Sequence, residues 1–556
     1  MKFLTDKQLN SNKKIIIEII LKLAITSFKS EEELSRYLFK KAGEADIGIF
    51  SKSQLISAYR KFKASGDIKL SEDQEKLVNF SLRRKKVRTL SGVTPVTVLT
   101  EAYYCPGNCI FCPSESKMPK SYLSKEPGAQ RAKNNKFDPY LQTFNRLVAL
   151  YETGHSTDKV ELIILGGTWT AYPNGYRIWF IKRCFDALNE FAPLQTPEYL
   201  AASNRRAVEK IGSWQELHAA HRKNETAKTR CVGLSVETRP DYVSVKEAIG
   251  MRRLGVTKVQ IGVQSLNDKV LRLNCRGHTA AQTKKAFTLL RSFGFKIQAH
   301  WMANLYGSSP KRDVIDFKKL FRLQNFRPDE LKIYPCSLLT KTRLFEYYKK
   351  GLWTPYSYTE LLSVITGVLP ATPRYCRITR IFRDIPSEYI IEGVRNSNFR
   401  QLAETKLQSL GVRCIDIRSR EIRNAKISWE TLKLKKTRYK TANTTELFLE
   451  YITPKDELVG FLRLSLPQKK NTFPELANSA IIREVHVYGE ALEMGVEYSG
   501  KAQHAGIGKN LINLAKKLAY KKGYKDLAVI SSVGTREYYK RLGFYMGALY
   551  QHLSLV

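Results

Sequence analysis

Cys105, Cys109 and Cys112 stand in the run CPGNCIFCP, a C-x3-C-x2-C spacing that follows a β-rich stretch. Three thiolates so spaced can hold three irons of a 4Fe–4S cluster and leave the fourth iron open to a ligand. A structural zinc wants four closed ligands, and the next His or Cys along the chain are the distant His155 and Cys184. Gly166 and Gly167 end the next apolar run, where glycines let the backbone come close to a ligand. Glu237, Arg239, Gln264 and Lys332 stand at the ends of further apolar runs. Each can bind a ligand beyond a strand end or serve a structural ion pair or amide. A second constellation, Gln503-His504-Ala505-Gly506-Ile507-Gly508, opens a helical stretch as Q-x-x-G-x-G. Backbone N–H groups and the dipole at a helix N-terminus make a pyrophosphate site, although a glycine-rich cap reads the same way.

These groups require several elements to position them. The chain has 556 residues, too many for one core, and it is 43% hydrophobic and 26% charged, as a globular protein is. Its net charge of +41 excludes an acidic binding module and points to a polyanion, nucleic acid before an anionic membrane surface. The apolar run Ile15–Ile25 is short and broken by Glu18 and Lys22, so no membrane span is expected. No signal-peptide pattern is read, and the protein is expected to be cytoplasmic. Nine cysteines in so long a chain do not make a disulfide framework.

Residues 1–90 read as a basic helical region ending in Arg83, Arg84, Lys85, Lys86 and Arg88, either a solvated face or a contact for phosphates. From 91 to 370, β-rich runs at 95–99, 160–165, 231–236, 258–263, 295–300 and 330–334 alternate with helical stretches. That alternation predicts a parallel α/β sheet, open or curled into a partial barrel. Residues 371–440, rich in Arg and Lys, are read as a connecting region. Residues 441–556 predict a smaller α/β domain.

The cysteine triplet with the glycine pair resembles the radical S-adenosylmethionine (SAM) signature. The loop near Gly506 resembles the phosphate loop of the GNAT acetyltransferases, which bind acetyl-CoA. From about Ser53 to the C-terminus the chain resembles the Elongator catalytic-subunit family, through GLSVETRPDY at 233–242, IGVQS at 261–265, RGHT at 276–279, DELKIYP at 329–335, RDIP at 383–386 and VGTREYY at 533–539. The resemblance implies a partial TIM-like (β/α)6 radical SAM barrel plus a GNAT-fold domain that modify the wobble uridine of tRNA. A 4Fe–4S cluster would cleave SAM to a 5′-deoxyadenosyl radical, which takes hydrogen from the methyl of acetyl-CoA. The carbon radical would add to uridine C5, and thioester hydrolysis would leave 5-carboxymethyluridine. The implied partners are the tRNA anticodon arm, met in part by the basic run from Arg83 to Arg88, and Elongator-type subunits or a second copy.

Residue roles follow from the same resemblance. Cys105, Cys109 and Cys112 are cluster ligands. Gly166 and Gly167 approach the methionine end of SAM, while Glu237, Arg239 and Gln264 lie near its ribose and amino-acid ends. Lys159, the backbone of Glu484, Val485, His486 and Val487, and Ile507, Gly508 and Lys509 hold acetyl-CoA. Tyr539, with Tyr538 beside it, faces the leaving thiolate, where a tyrosine can donate its proton; one of the two is expected in the core. Lys332 would stabilise the acyl group or a phosphate, or pair with an acid.

The chain also departs from the family. The spacer between its first two cysteines is short, and residues 299–307 lack the family's Pro-rich form. A Cys-rich stretch associated with zinc in bacterial relatives has here only Cys414, so zinc is not carried over. Two rival readings are a protein (histone-type) lysine acetyltransferase with a structural cluster and a non-catalytic tRNA-binding scaffold.

Overall fold

The computed structural model describes the chain apart from residues 1–3, 5, 29, 45–47, 84–91, 193–209, 394–397, 423–428, 469–470, 472 and 489–504. The N-terminal region is helical: α1 (Asp6–Ser11), α2 (Lys13–Ile25), α3 (Glu31–Glu44), α4 (Lys52–Ala64) and α5 (Glu72–Leu82). Ser51 and Ser71 open α4 and α5 with capping boxes. Each hydroxyl accepts from the N–H three residues on, and the Gln54 or Gln74 side chain accepts from the serine N–H in return. Ile16, Ile20, Leu55, Tyr59 and Val78 close a small separate core. Helix α4 meets α6 (Pro139–Glu152) through Arg60, whose guanidinium lies 3.4 Å from the Tyr151 ring centroid and donates to the Tyr151 carbonyl at 2.7 Å. Of the basic run, Arg83 donates to the Gly154 carbonyl at 3.1 Å. Arg84, Lys85, Lys86 and Arg88 lie outside the described residues.

Seven strands, all parallel, make the central sheet in chain order: β1 (Thr94–Leu99), β2 (Lys159–Leu165), β3 (Arg230–Thr238), β4 (Lys258–Gln264), β5 (Lys296–Trp301), β6 (Glu330–Ile333) and β7 (Arg377–Arg380). Six are the runs expected from sequence. The seventh comes from the stretch read as a connection, where two arginines mask a four-residue strand. The order ends at β1 and β7 without their pairing, so among the described residues the barrel is open. The helix-facing side of the sheet is apolar and buried, with Val160, Leu162, Ile164, Val259, Ile261, Ile297, Ala299 and Leu331 all within 1% exposure. A parallel sheet is normally apolar on both faces, and this one is not.

The second sheet runs β8 (Lys433–Lys440), β9 (Thr444–Ile452), β10 (Leu458–Pro467), β11 (Ser479–Val487), β12 (Asp526–Val529), β14 (Gln551–Ser554) and β13 (Tyr545–Met546). Its pairs are antiparallel except β11 with β12. Strands β11 and β12 pair only over Ser479–Ile482 and Asp526–Val529, while β11 continues beside β10 to Val487. Among the described residues, one edge of β11 is therefore open from Arg483 onward, and Glu484 to Val487 are all half-buried. Helix α7 follows (Ala505–Lys521).

One hydrophobic core runs through both sheets. Asp329, just before β6, is fully buried at the seam. It accepts from Arg291 at 3.0 Å and from both terminal nitrogens of Arg483 at 2.7 and 2.8 Å. Arg463 stands 3.5 Å away. No described helix is long and apolar enough to cross a membrane.

His552 on β14 clamps the C-terminal hairpin, with Nδ1 2.8 Å from Asp526 and Nε2 3.3 Å from Glu475. Burial alone would lower its pKa, but these two carboxylates raise it to about 9. The charged ring thus adds stability below the ordinary histidine value of about 6.5, and this is lost as pH rises through about 9. Thermal unfolding midpoints are expected to fall between those two pH values, and His552→Gln is expected to flatten that slope.

Candidate active site

The lumen of the half-barrel carries polar side chains on every strand from β2 to β7, beside the apolar Pro95, Leu99, Ile163 and Leu165 of β1 and β2. Side chains alternate along a strand, so Lys159 and Glu161 on β2, Gly233, Ser235 and Glu237 on β3, and Lys258, Gln260, Gly262 and Gln264 on β4 share the inner face. Lys296, Gln298 and His300 on β5, Glu330 and Lys332 on β6, and Arg377 and Thr379 on β7 complete it. A packed barrel fills this space with branched apolar side chains. Here a cavity opens at each end of the lumen, one of about 660 Å³ at the C-terminal ends of the strands and one of about 710 Å³ at their N-terminal ends against the second sheet.

The first cavity is walled by the three cysteines, Gly167, Glu237, Arg239, Gln264, Arg276, His300 and Lys332. Arg276 donates to the Cys109 sulfur at 3.4 Å, and the Thr168 hydroxyl lies 3.6 Å from that of Cys105. Burial, with Cys109 and Cys105 nearby, pushes the Cys112 thiol up to about 12. Thiolates there call for a cation to hold them.

Arg239 is held by Asp241 at 3.0 and 2.8 Å and donates to the Arg276 carbonyl at 2.8 Å. Its remaining Nη1 is buried without a partner against Gly107 of the cysteine loop, where a Cβ would collide with it. Gln264 adopts φ of +65°, rare for a side-chain-bearing residue, and its Oε1 is also buried and unpartnered. A strained strand end with an unpaired acceptor, beside a guanidinium with an unpaired donor, fits a polar ligand lying next to the cluster. Glu237 does something different. Its Oε1 accepts from the N–H of Gly166 at 3.0 Å, of Gly167 at 2.7 Å and from the Tyr122 hydroxyl at 2.9 Å, and so fixes the glycine turn. Lys332 donates to Gln260 Oε1 at 2.5 Å, and the same oxygen lies 3.2 Å from His300 Nε2. It pairs with an amide, not with an acid.

Gly166 has φ of +148°, and a Cβ there would overlap the Thr100 hydroxyl, which is engaged with Tyr172 at 2.7 Å. Gly166→Ala is expected to push the turn outward. Misplacement costing about 1.4 kcal/mol of binding is tenfold in affinity, so isothermal titration with SAM, the ligand that the sequence resemblance implies, should show binding weakened by about tenfold or more.

The second cavity is walled by the open edge of β11 (Glu484, Val485 and His486), by Tyr539, and by the barrel's Glu161, Lys258, Lys296, Glu330 and Arg377. Glu484 pairs with Lys296 at 2.6 Å and Arg463 at 2.8 Å. Burial lowers His486 to about 4, so the ring is neutral, and its Nε2 is buried without a partner. Ile507 is buried, Lys509 is exposed, and Gly508 would place a Cβ 3.1 Å from the Tyr538 hydroxyl. Tyr538 thus stands over the first turn of α7, and Tyr539 reaches the cavity wall with its phenol pKa raised by burial. Lys159 lies at the start of β2, on the face of Glu161, half-buried and 3.9 Å from Asp158. Gln503 and His504 lie outside the described residues.

The groups that sequence reasoning missed are at the N-terminal ends of the barrel strands: Lys258, Lys296, Glu330 and Arg377. The signal was the alternation KVQIGVQ on β4 and KIQAHW on β5, which is wrong for a sheet buried on both faces. Arg276 and His278 were also missed. His278 has both ring nitrogens buried and unpartnered, and burial with Arg276 and Arg239 nearby holds its pKa down to about 2.

Residues 102–308 match the radical SAM superfamily, and residues 328–409 match the radical SAM C-terminal domain. The chain is similar to the tRNA uridine(34) acetyltransferase of Methanocaldococcus infernus, 39% identical over 86% of this chain and 89% of that one. It is similar to Elongator complex protein 3 of Homo sapiens, 35% identical over 83% and 84%. It also resembles the solved structure of the archaeal Methanocaldococcus infernus Elp3 with an N-terminal deletion, with a TM-score of 0.69 and 36% identity over 83% of this chain and 99% of that one.

Proposed function

The chain belongs to the radical SAM family of tRNA uridine(34) acetyltransferases and Elongator complex protein 3, and from that premise we propose that it makes 5-carboxymethyluridine at the tRNA wobble position from acetyl-CoA. The observation that carries this reading is that the two cavities share wall residues: Pro95, Glu161, Lys258, Glu330 and Arg377 line both. An acyl donor on the second sheet and a radical source at the cysteines would then face each other through one barrel.

A bound cluster with SAM supplies a carbon-centred radical able to take hydrogen from an unactivated methyl group. This chain's residues do the rest. Cys105, Cys109 and Cys112 hold three irons; Arg239 and Gln264 offer their unpaired atoms to SAM; Glu237 keeps the Gly166–Gly167 turn in place. The sheet from β8 onward, with α7, acts as a GNAT domain. Its β11 edge, open among the described residues, presents backbone groups to a pantetheine arm, and the N-terminal end of α7 presents backbone N–H groups to pyrophosphate. Tyr539, whose phenol keeps its proton through the neutral range, can protonate a departing thiolate when the thioester is hydrolysed. The net charge of +41 suits the anticodon arm. Elongator-type subunits or a second copy are the expected protein partners. Protein-lysine acetylation is disfavoured, because the wall opposite Glu484 and His486 is the barrel itself.

Anaerobically reconstituted protein supplied with SAM, acetyl-CoA and tRNA should yield 5-carboxymethyluridine by nucleoside mass spectrometry. Unmodified tRNA alongside acetylated lysine would contradict the reading.

A further inference from the structure

Between the two cavities, a layer of charge crosses the lumen. Lys258 pairs with Glu161 and, at 3.3 Å, with Glu330; Lys296 pairs with Glu330 at 3.2 Å and with Glu484 of the second sheet at 2.6 Å. Arg463 carries the chain on from Glu484 to Asp329. Just above this layer, Gln298 donates to Glu330 at 2.7 Å and to the Thr379 hydroxyl at 3.0 Å, and Gln260 donates to Ser235 at 2.7 Å. Lys332 and His300 follow on the cysteine side. A buried ion-pair layer contributes little net stability compared with the apolar side chains that could replace it. A scaffold alone would therefore fill this lumen with aliphatic groups. Ion pairs and amides, unlike packed aliphatics, can exchange partners with a polar group that moves past them.

We propose that the barrel lumen is the path by which the acyl end of the donor passes from the second sheet to the cysteine chamber, and that the Glu161–Lys258–Glu330–Lys296–Glu484 layer is the septum it parts. Lys258 and Glu330 touch both chambers and stand where the thioester carbonyl crosses. Lys258 positions that carbonyl by donating to it in place of a carboxylate. Glu484 sits both in the septum and on the open edge of β11, so occupancy of that edge bears directly on the layer. This inference rests on the function proposed above, with acetyl-CoA as the donor.

Two measurements test it. The first uses protein without cluster and an acyl-CoA carrying a diazirine at the end of a short acyl chain. Irradiation should label Gln260, Gln298 or Lys332, none of which lines the donor cavity, and excess CoA should suppress the labelling. Label confined to β11, α7 and the outer surface would overturn the path. The second is Gln298→Phe, which places an apolar plug above the septum. Acetyl-CoA and SAM should still bind by calorimetry, while carboxymethyluridine formation falls on the order of a hundredfold, as misplacement of a reacting group does. Wild-type product formation by the plugged variant would refute the path and leave the proposed function standing. A wild-type protein that makes no product would instead refute the function.

Discussion

Cys109→Ala is expected to abolish tRNA modification while leaving acetyl-CoA binding intact. Cys109 is the most buried of the triplet, at 8% exposure, and is the one bonded to Arg276. With two thiolates left, a cluster loses a corner ligand. The visible absorbance of the reconstituted cluster should drop sharply and the modification rate should fall to background. For typical enzymic rate enhancements, that is a loss of about a millionfold or more. Acetyl-CoA affinity should stay within about threefold, less than 1 kcal/mol, since the cavity proposed for it lies at the other end of the barrel. If the variant keeps its cluster absorbance and its product, the cysteines are not the ligands.

Asp329→Asn is expected to be the most damaging single change to stability. The carboxylate is fully buried and serves Arg291 and Arg483 as well as the backbone N–H of Ile297 at 2.9 Å. Burial alone would raise its pKa, but Arg291, Arg483 and Arg463 hold it well below the usual carboxylate range. An amide cannot balance three guanidiniums, and Glu446 and Glu484 would remain as their nearby carboxylates. Breaking a buried pair in this way costs about 3–5 kcal/mol. Because Arg463 and Arg483 come from the second sheet and Arg291 from the barrel side, the loss should loosen the seam. Thermal unfolding should then split toward two transitions, with the first well below the wild-type midpoint. A single transition at the wild-type temperature would show that the hub does not hold the units together. The sign with pH follows from the depressed carboxyl: its contribution is present above the ordinary aspartate value of about 3.9 and is lost as pH falls through the lower native value.

What could be read from the sequence was what is local. The cysteine triplet announces its chemistry within eight residues, and six barrel strands show as short β-rich runs between helical stretches. β7 escaped because Arg377 and Arg380 occupy half of a four-residue strand, and β8 because its face is basic and exposed at a sheet edge. The septum could not be read, since its members lie far apart in the chain. Lys258 and Glu330 are 72 residues apart, and Lys296 and Glu484 are 188 apart. The strand registers set Lys258 beside Lys296 and Glu330 beside Gln298, two residues further along β5, while Glu484 comes from the other sheet. Glu237 shows the same limit at closer range: its position at a strand end was legible, but its three donors, Gly166, Gly167 and Tyr122, were not. Lys332 was open between an acyl group, a phosphate and an acid, and its partner proved to be the amide of Gln260.

The most direct test of the whole account is one reaction containing the reconstituted protein, SAM, tRNA and acetyl-CoA deuterated on its methyl group. Deuterium in the 5′-deoxyadenosine together with labelled carboxymethyluridine is the predicted result, because it requires the donor's methyl to reach the radical chamber of the same chain. Unlabelled 5′-deoxyadenosine with unchanged uridine would contradict it.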